Sequence, residues 1–513
     1  MMFSRHSSLF RFILLLSIPL WGAARTRAAD NAFDFESLRF RAKQLAEKPY
    51  VAPVSRVPKF LLDLSYDQHR DIRFDPNHSW WRREQLPFQL QFFHPGFIFS
   101  QTVQVNYLDG KNPVPIPFDP KLFSYGRNEI SKRIPDTMGF AGFRIHYPLN
   151  NPQYWDELAV FLGASYFKAL GKGARYGLSA RGLALNTAEP GGEEFPAFLE
   201  FWVEKPAASS KQITVFALMD SASIAGAYRF IIIPGADTVM QIKATVYARN
   251  PVKVFGIAPL TSMFWYGENS GSSHGDFRPE VHDSDGLMIE TGAGEWLWRP
   301  LTNPEQLRVA SFADKNPLGF GLFQRDRNFS HYEDLEADYH LRPSTWIEPV
   351  GQWGQGSIRL VELPTADETN DNIVAFWVPE KPPGAGESLD FEYKLHWFTD
   401  HTNPRRPPAG STLATHVSTV LKQPEIRRFV IDFEGQYLNN QRSDPAIEPV
   451  VSVGAGATLL PDTTTIQKNQ YNGSWRVTFA LKPDGSGHPV ELRCFLRKQP
   501  HILTETWSYL WNP

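Results

Sequence analysis

The chain has one cysteine, Cys494, in 513 residues. An intrachain disulfide is therefore excluded, and stability must come from a packed core even in an oxidising compartment. Net charge is nearly absent: 52 basic against 55 acidic residues give −3, with no long runs of either sign. That leaves no electrostatic footprint for nucleic acid and makes a neutral partner the default. Beyond the first thirty residues no apolar run reaches the length of a membrane-spanning helix, so the mature protein should be soluble. Long stretches of helical periodicity are missing too. No G-x-S-x-G elbow, P-loop or G-x-G-x-x-G after a strand is present, which removes serine-hydrolase, nucleotide and dinucleotide readings. Cys494 stands in an apolar row and reads as a buried thiol, which removes thiol catalysis.

What is abundant is aromatic: 14% of residues, with 15 Trp and 38 Phe, beside 41 Pro and 36 Gly. The mixture reads as many short strands joined by ordered loops. Most rings should pack the core, but a ring face can also stack on the C–H face of a sugar whose hydroxyls need polar groups around the rim.

Residues 1–29 have the pattern of a general secretory signal peptide. Arg5, His6 and Arg11 precede the apolar stretch Phe12 to Trp21, small residues follow at Gly22, Ala23, Ala24, Ala28 and Ala29, and no Arg-Arg pair stands before the apolar stretch. The expected location is the periplasm. Asp34 can cap a short helix placing Phe35, Leu38, Ala42 and Leu45 on one face, ending before Pro49. From there the dominant period is two. Met240, Ile242, Ala244 and Val246 alternate with polar neighbours; Trp475, Val477, Phe479 and Leu481 do so again, as do Val490, Leu492, Cys494 and Leu496. The stretch 401–411, HTNPRRPPAGS, interrupts the pattern and reads as a linker. Expected are an all-β chain with a large antiparallel β-sandwich over 30–400 and an immunoglobulin-like β-sandwich over 412–513.

Polar residues without a packing role concentrate between Trp265 and Trp377. In His282-Asp283-Ser284-Asp285-Gly286 the paired carboxylates suit calcium, but the offsets do not fit an EF-hand. His282 has no zinc partner at metal-ligand spacing. Neither a metal nor a cofactor is expected there, and Asp285 with Gly286 reads as a turn. Asp283 is harder to dismiss. A second run, Glu368-Thr369-Asn370-Asp371-Asn372, stands at the mouth of the apolar strand Ile373 to Trp377. If sheet curvature brings Asp283 and Asp371 to opposite walls of one cleft, the pair has what glycoside hydrolysis needs: one carboxyl protonated, one ionised. Arg342 and Arg278 could hold a carboxylate ionised, and Tyr339 could orient a hydroxyl or a water. Sugar mutarotation would instead need a His–Glu pair, with His282 the candidate.

Five segments carry a resemblance over essentially the whole mature chain: FDFESLRFRAKQLA from Phe33, YDQHRDIRF from Tyr66, FHPGF from Phe93, RPEVHDSDGL from Arg278 and ETNDNIVAFW from Glu368. Together they resemble the OpgG/OpgD (MdoG/MdoD) family of osmoregulated periplasmic glucan metabolism, and the missing twin arginines make the chain more G-like than D-like. The resemblance implies a galactose-mutarotase-like supersandwich with a deep cleft followed by the immunoglobulin-like domain. It implies inverting endo-hydrolysis of β-1,2-glucan by Asp283 as acid and Asp371 as base, with Glu368, Thr369 and Tyr339 lining a proton relay through water. The other role it allows is a non-catalytic factor that binds glucan during synthesis or β-1,6 branching, receiving it from an inner-membrane glucan synthase. A homodimer is implied as well, with an aromatic lid over the site after the large sandwich. Here no aromatic stands between Phe398 and Phe429, so the lid is polar and proline-rich or placed elsewhere.

Overall fold

The computed structural model describes residues 32–270, 275–399, 407–441 and 444–513. The expected signal peptide at 1–29 lies outside the described residues, as does most of the expected linker. The first element is the helix Phe35–Ala46. Asp34 accepts from the Ser37 N–H at 2.8 Å while the Ser37 hydroxyl accepts from the Asp34 N–H at 3.0 Å, a reciprocal cap. Phe35, Leu38 and Ala42 are buried against Leu108, Trp202, Phe216, Leu218 and Ala227, with Leu45 partly covered beside them. The apolar stripe thus docks the helix onto a sheet, and Arg41 covers the Trp202 ring from outside at 4.7 Å.

The body is β-structure in stacked sheets, an all-β sandwich as alternation predicts. A 10-stranded sheet runs from Gln89–Phe93 through Tyr166–Ala169, Ser179–Arg181, Phe255–Ser262, Ile373–Pro379 and Gln355–Glu362 to Arg308–Lys315. A 15-stranded sheet faces it. Its spine is the antiparallel set Ile213–Asp220, Ile224–Ile233, Thr238–Ala248, Ser388–Phe398 and Ser344–Val350. In Thr238–Ala248 the residues Met240, Ile242, Ala244 and Val246 are fully buried and face the aromatic core built from Phe143, Phe161, Phe167, Phe201 and Phe230. The interior is rings packed edge to face, such as Phe161 on Phe230 at 5.2 Å and 74°, the arrangement their quadrupoles favour.

The C-terminal strands form a second sandwich. One layer has five strands, including Ser411–Val420, Gln423–Glu434 and Trp475–Pro483. The other layer, Glu448–Val453, Val490–Lys498 and Thr506–Trp511, continues the 15-stranded sheet: Thr506 and Trp507 pair in parallel with Leu297 and Trp298. The core between the layers joins Phe429, Phe479, Leu492, Cys494 and Trp507 to Met288, Trp298, Phe323 and Trp346 of the preceding region. Residues from Phe33 to Pro513 accordingly form one compact unit. Cys494 is fully buried, and burial pushes its thiol far above the ordinary range, which suits an inert core residue.

Candidate active site

Both acids hang from one short stretch of chain. The strand Phe255–Ser262 pairs with Ile373–Pro379, Ser262 opposite Ile373, so the Asn372 N–H reaches the Ser262 carbonyl at 3.0 Å. The chain then steps into Phe264–Tyr266, which pairs with Val281–His282, Phe264 opposite His282, and the Asp283 N–H reaches the Met263 carbonyl at 2.8 Å. Asp283 and the residue after Asp371 are thereby fastened to consecutive carbonyls. Asn372 fixes the second attachment: it is buried, its amide oxygen accepts from the Phe264 N–H at 2.8 Å, and its amide nitrogen donates to the carbonyls of Phe264 at 3.0 Å and Leu363 at 2.9 Å.

The environments of the two carboxyls differ. Asp283 is 5% exposed; burial raises its pKa against the pull of Arg342, Lys168 and His282. Arg342 Nη1 stands 3.0 Å from Asp283 Oδ1 without hydrogen-bond alignment, so that oxygen is paired in charge but has no hydrogen bond. Asp371 is open to solvent on one side yet flanked closely enough that reduced solvation is the largest influence raising its pKa. Lys168 opposes that rise, Asp283 adds to it, and Arg181 and Arg342 again oppose it.

The other expected residues sort into two groups. Arg278 donates to Asp276 at 2.7 Å, to Asp334 at 2.8 Å and to Glu368 at 2.7 Å. The Tyr339 hydroxyl donates to the same Glu368 oxygen, and Arg342 lies over the Tyr339 ring at 4.8 Å. Asp283, Arg342, Tyr339, Glu368 and Arg278 thus form a continuous chain of contacts. Burial and then Glu368 raise the Tyr339 pKa far above its ordinary value, so its hydroxyl stays protonated and remains a donor. Thr369 is exposed, and its N–H caps Asp367 at 2.8 Å in the same loop.

His282 belongs to a different network. It is 1% exposed, stacks on Phe264 at 5.3 Å and has both ring nitrogens engaged, with Gln324 at 2.9 Å and Glu280 at 2.9 Å. Burial opposes its charge, but Glu280 and Asp285 outweigh burial and raise its pKa to about 9. A His–Glu pair exists here, but both ring nitrogens of His282 are engaged and its raised pKa keeps it charged, which does not suit the general base of a mutarotase. Asp285 and Gly286 are not a local turn. Asp285 accepts from the backbone of Arg325 and, at 2.8 Å, of Asp326, while Gly286 is the first residue of the strand Gly286–Glu290, where a Cβ would lie 2.4 Å from the Trp298 ring.

Sequence reasoning missed Lys168 and Arg181. Lys168 sits in an alternating strand where an outward lysine is ordinary, and no signal marks it. Arg181 did carry one: it is 5% exposed within the apolar stretch Leu178 to Leu183, bonded to Thr261 at 2.8 Å and Glu193 at 2.6 Å. The described residues contain no helix long and apolar enough to cross a membrane.

The family model described as "Periplasmic glucan biosynthesis protein, MdoG" matches residues 33–511. The chain belongs to that family. A relative from Ralstonia nicotianae, named Glucans biosynthesis protein G, is 49% identical over 97% of this chain and 99% of its own length. Proteins of the same name from Pseudomonas aeruginosa and Vibrio cholerae are each 44% identical, over 97% and 94% of this chain and 94% and 88% of their own lengths. Membership of the MdoG family bears out the resemblance carried by the five segments and connects the fold to periplasmic glucan biosynthesis.

Proposed function

We propose that this MdoG-family chain cleaves β-1,2-linked glucan in the periplasm by an inverting mechanism, after removal of a secretory signal peptide. The observation that carries the reading is the joint suspension of Asp283 and Asp371 from the carbonyls of Met263 and Ser262, through Asp283 itself and Asn372. Two carboxyls with raised affinity for protons, one raising the other, favour a state with one proton between them, the state acid–base hydrolysis requires. Asp283, the more enclosed, keeps the proton and gives it to the leaving glucosidic oxygen. Asp371, open to solvent, takes a proton from the attacking water. Glu368, Thr369 and Tyr339 line the water relay to Asp371, with Arg278 and the Tyr339 hydroxyl holding the Glu368 carboxylate in place, and Lys168 and Arg342 supply the positive charge that steadies both carboxylates through the cycle.

The test is reducing-end release from linear β-1,2-glucan. Wild-type protein is expected to release ends, and Asp283→Asn and Asp371→Asn are each expected to abolish release while still binding the polymer. A second reading is favoured by the name the relatives carry, which is one of biosynthesis: a non-catalytic factor that holds nascent glucan for synthesis or branching. Tight binding by a wild-type protein that releases no ends would establish that role instead.

A further inference from the structure

Adjoining His282 is a small cavity of about 50 Å³ whose walls include Glu268, Asn269, Glu280, Asp285, Asp326 and Thr412. Four of these are carboxylates. Arg325 also borders the space, but its guanidinium is committed to Glu505 at 2.6 and 2.9 Å and stacked over Trp298 at 3.5 Å. His282 answers part of this charge through Glu280 and Asp285, and burial raises the pKa of Glu268.

Two of the residues around this space carry neutral oxygens that have no hydrogen-bond partner among the described residues. Asn269 is 8% exposed; its amide nitrogen is spent on the Leu301 carbonyl at 2.8 Å, and its Oδ1 is unpaired. Thr412 is 4% exposed, and its Oγ1 is likewise unpaired. A buried polar atom without a partner loses its hydration with nothing in return, so natural proteins rarely keep one without a ligand or water to satisfy it. Independently, carboxylate oxygens of Glu280 and Asp326 and a ring nitrogen of His331 all lie within 4.8 Å of one another, close enough to share one ion. Glu268, Asp326 and His331 also line an adjoining space of about 650 Å³, which offers an approach.

We propose that this cavity binds a hard divalent cation of the Ca²⁺ or Mn²⁺ kind. Glu280 and Asp326 are its anionic ligands, the Asn269 amide oxygen and Thr412 hydroxyl its neutral ones, and His331 an additional ligand for Mn²⁺. Carboxylate, amide and hydroxyl oxygens with no sulfur select hard ions. The ion fastens two parts of the fold together. Thr412 lies in the strand Ser411–Val420, whereas Glu280 holds His282, the neighbour of Asp283. The proposal does not depend on glucan cleavage.

The test uses the mature protein dialysed against a chelator, titrated calorimetrically with Ca²⁺, Mn²⁺, Mg²⁺ and Zn²⁺ in turn. Tb³⁺ serves as a luminescent stand-in that Trp298, on the cavity wall, sensitises. Expected are one equivalent of Ca²⁺ or Mn²⁺ bound, a higher melting temperature in its presence, and Tb³⁺ emission that Ca²⁺ displaces. Glu280→Gln and Asp326→Asn should each bind roughly tenfold more weakly or worse. Should those variants not fold, Trp298→Phe retains the test: Tb³⁺ still binds, and the sensitised emission falls. No saturable binding by any of the ions, binding of Zn²⁺ alone, affinity unchanged in both carboxylate variants, or emission unchanged in Trp298→Phe would each overturn the assignment.

Discussion

Replacing Arg342 with methionine keeps much of the side-chain volume and removes the cation 3.0 Å from Asp283 Oδ1. A neighbouring opposite charge holds a carboxyl down by about 1–3 pKa units, each worth about 1.4 kcal/mol. The Arg342 side chain is 19% exposed and its contact with Asp283 lacks hydrogen-bond alignment. The lower end of that range, about one unit, is therefore expected. With the arginine gone, Asp283 holds its proton to higher pH. If Asp283 is the acid, the alkaline limb of the pH–rate profile for reducing-end release moves up by about one unit, and the acidic limb follows by less, because Arg342 also holds Asp371 down but ranks below Lys168 and Arg181 there. A larger movement of the acidic limb than of the alkaline one would exchange the roles of the two aspartates. A profile in which neither limb moves would refute the claim that Arg342 controls either proton.

Asn372→Ala leaves the Phe264 N–H and two carbonyls without their buried partner, at about 1–3 kcal/mol for each group left unsatisfied; a lower urea midpoint should accompany a disproportionate loss of activity, because Asp371 loses its anchor. Tyr339→Phe removes the donor to Glu368 and should lower kcat by about 10²-fold with KM little changed, in steady-state kinetics on β-1,2-glucan. Asp371→Asn should stabilise the fold at neutral pH. The folded-state pKa of Asp371 is raised, so its contribution is fully present below its ordinary value of 3.8 and is lost as pH rises through the raised value; the gain should appear in melting curves at pH 7 and vanish near the ordinary carboxylate range. Cys494 should react with a thiol reagent only at the rate of global unfolding, which a reaction series in increasing urea would measure.

Alternation made the architecture legible where one face of a strand is buried and the other is not. Thr238–Ala248 and Val490–Lys498 are such strands, and Phe35, Leu38 and Ala42 marked the helix by the same logic with a different period. The acids were legible as residue types without a packing excuse, but their convergence was not. It depends on the pairing of Ser262 with Ile373 and of Phe264 with His282, and pairing partners are non-local. His282 looked like a reactive residue because its neighbours are polar; only the closure of Phe264, Gln324 and Glu280 around it makes it an interior strut. The parallel pairings of Thr506 with Leu297 and of Gln104 with Glu200 were equally out of reach, since neither segment's own pattern encodes its neighbour's direction.

The strand Thr506–Trp511 lies between Val490–Lys498 and Trp296–Pro300, inside the 15-stranded sheet rather than at its rim. A chain crossing a membrane amino end first delivers this strand after nearly everything it pairs with, so the sheet waits with one row of backbone donors and acceptors exposed until residue 511 arrives. Until then that open row is an invitation to chance pairing with other chains. The vulnerable interval therefore runs from the arrival of Val490–Lys498 to that of Thr506–Trp511, and a chaperone that shields unpaired strand edges would matter most there.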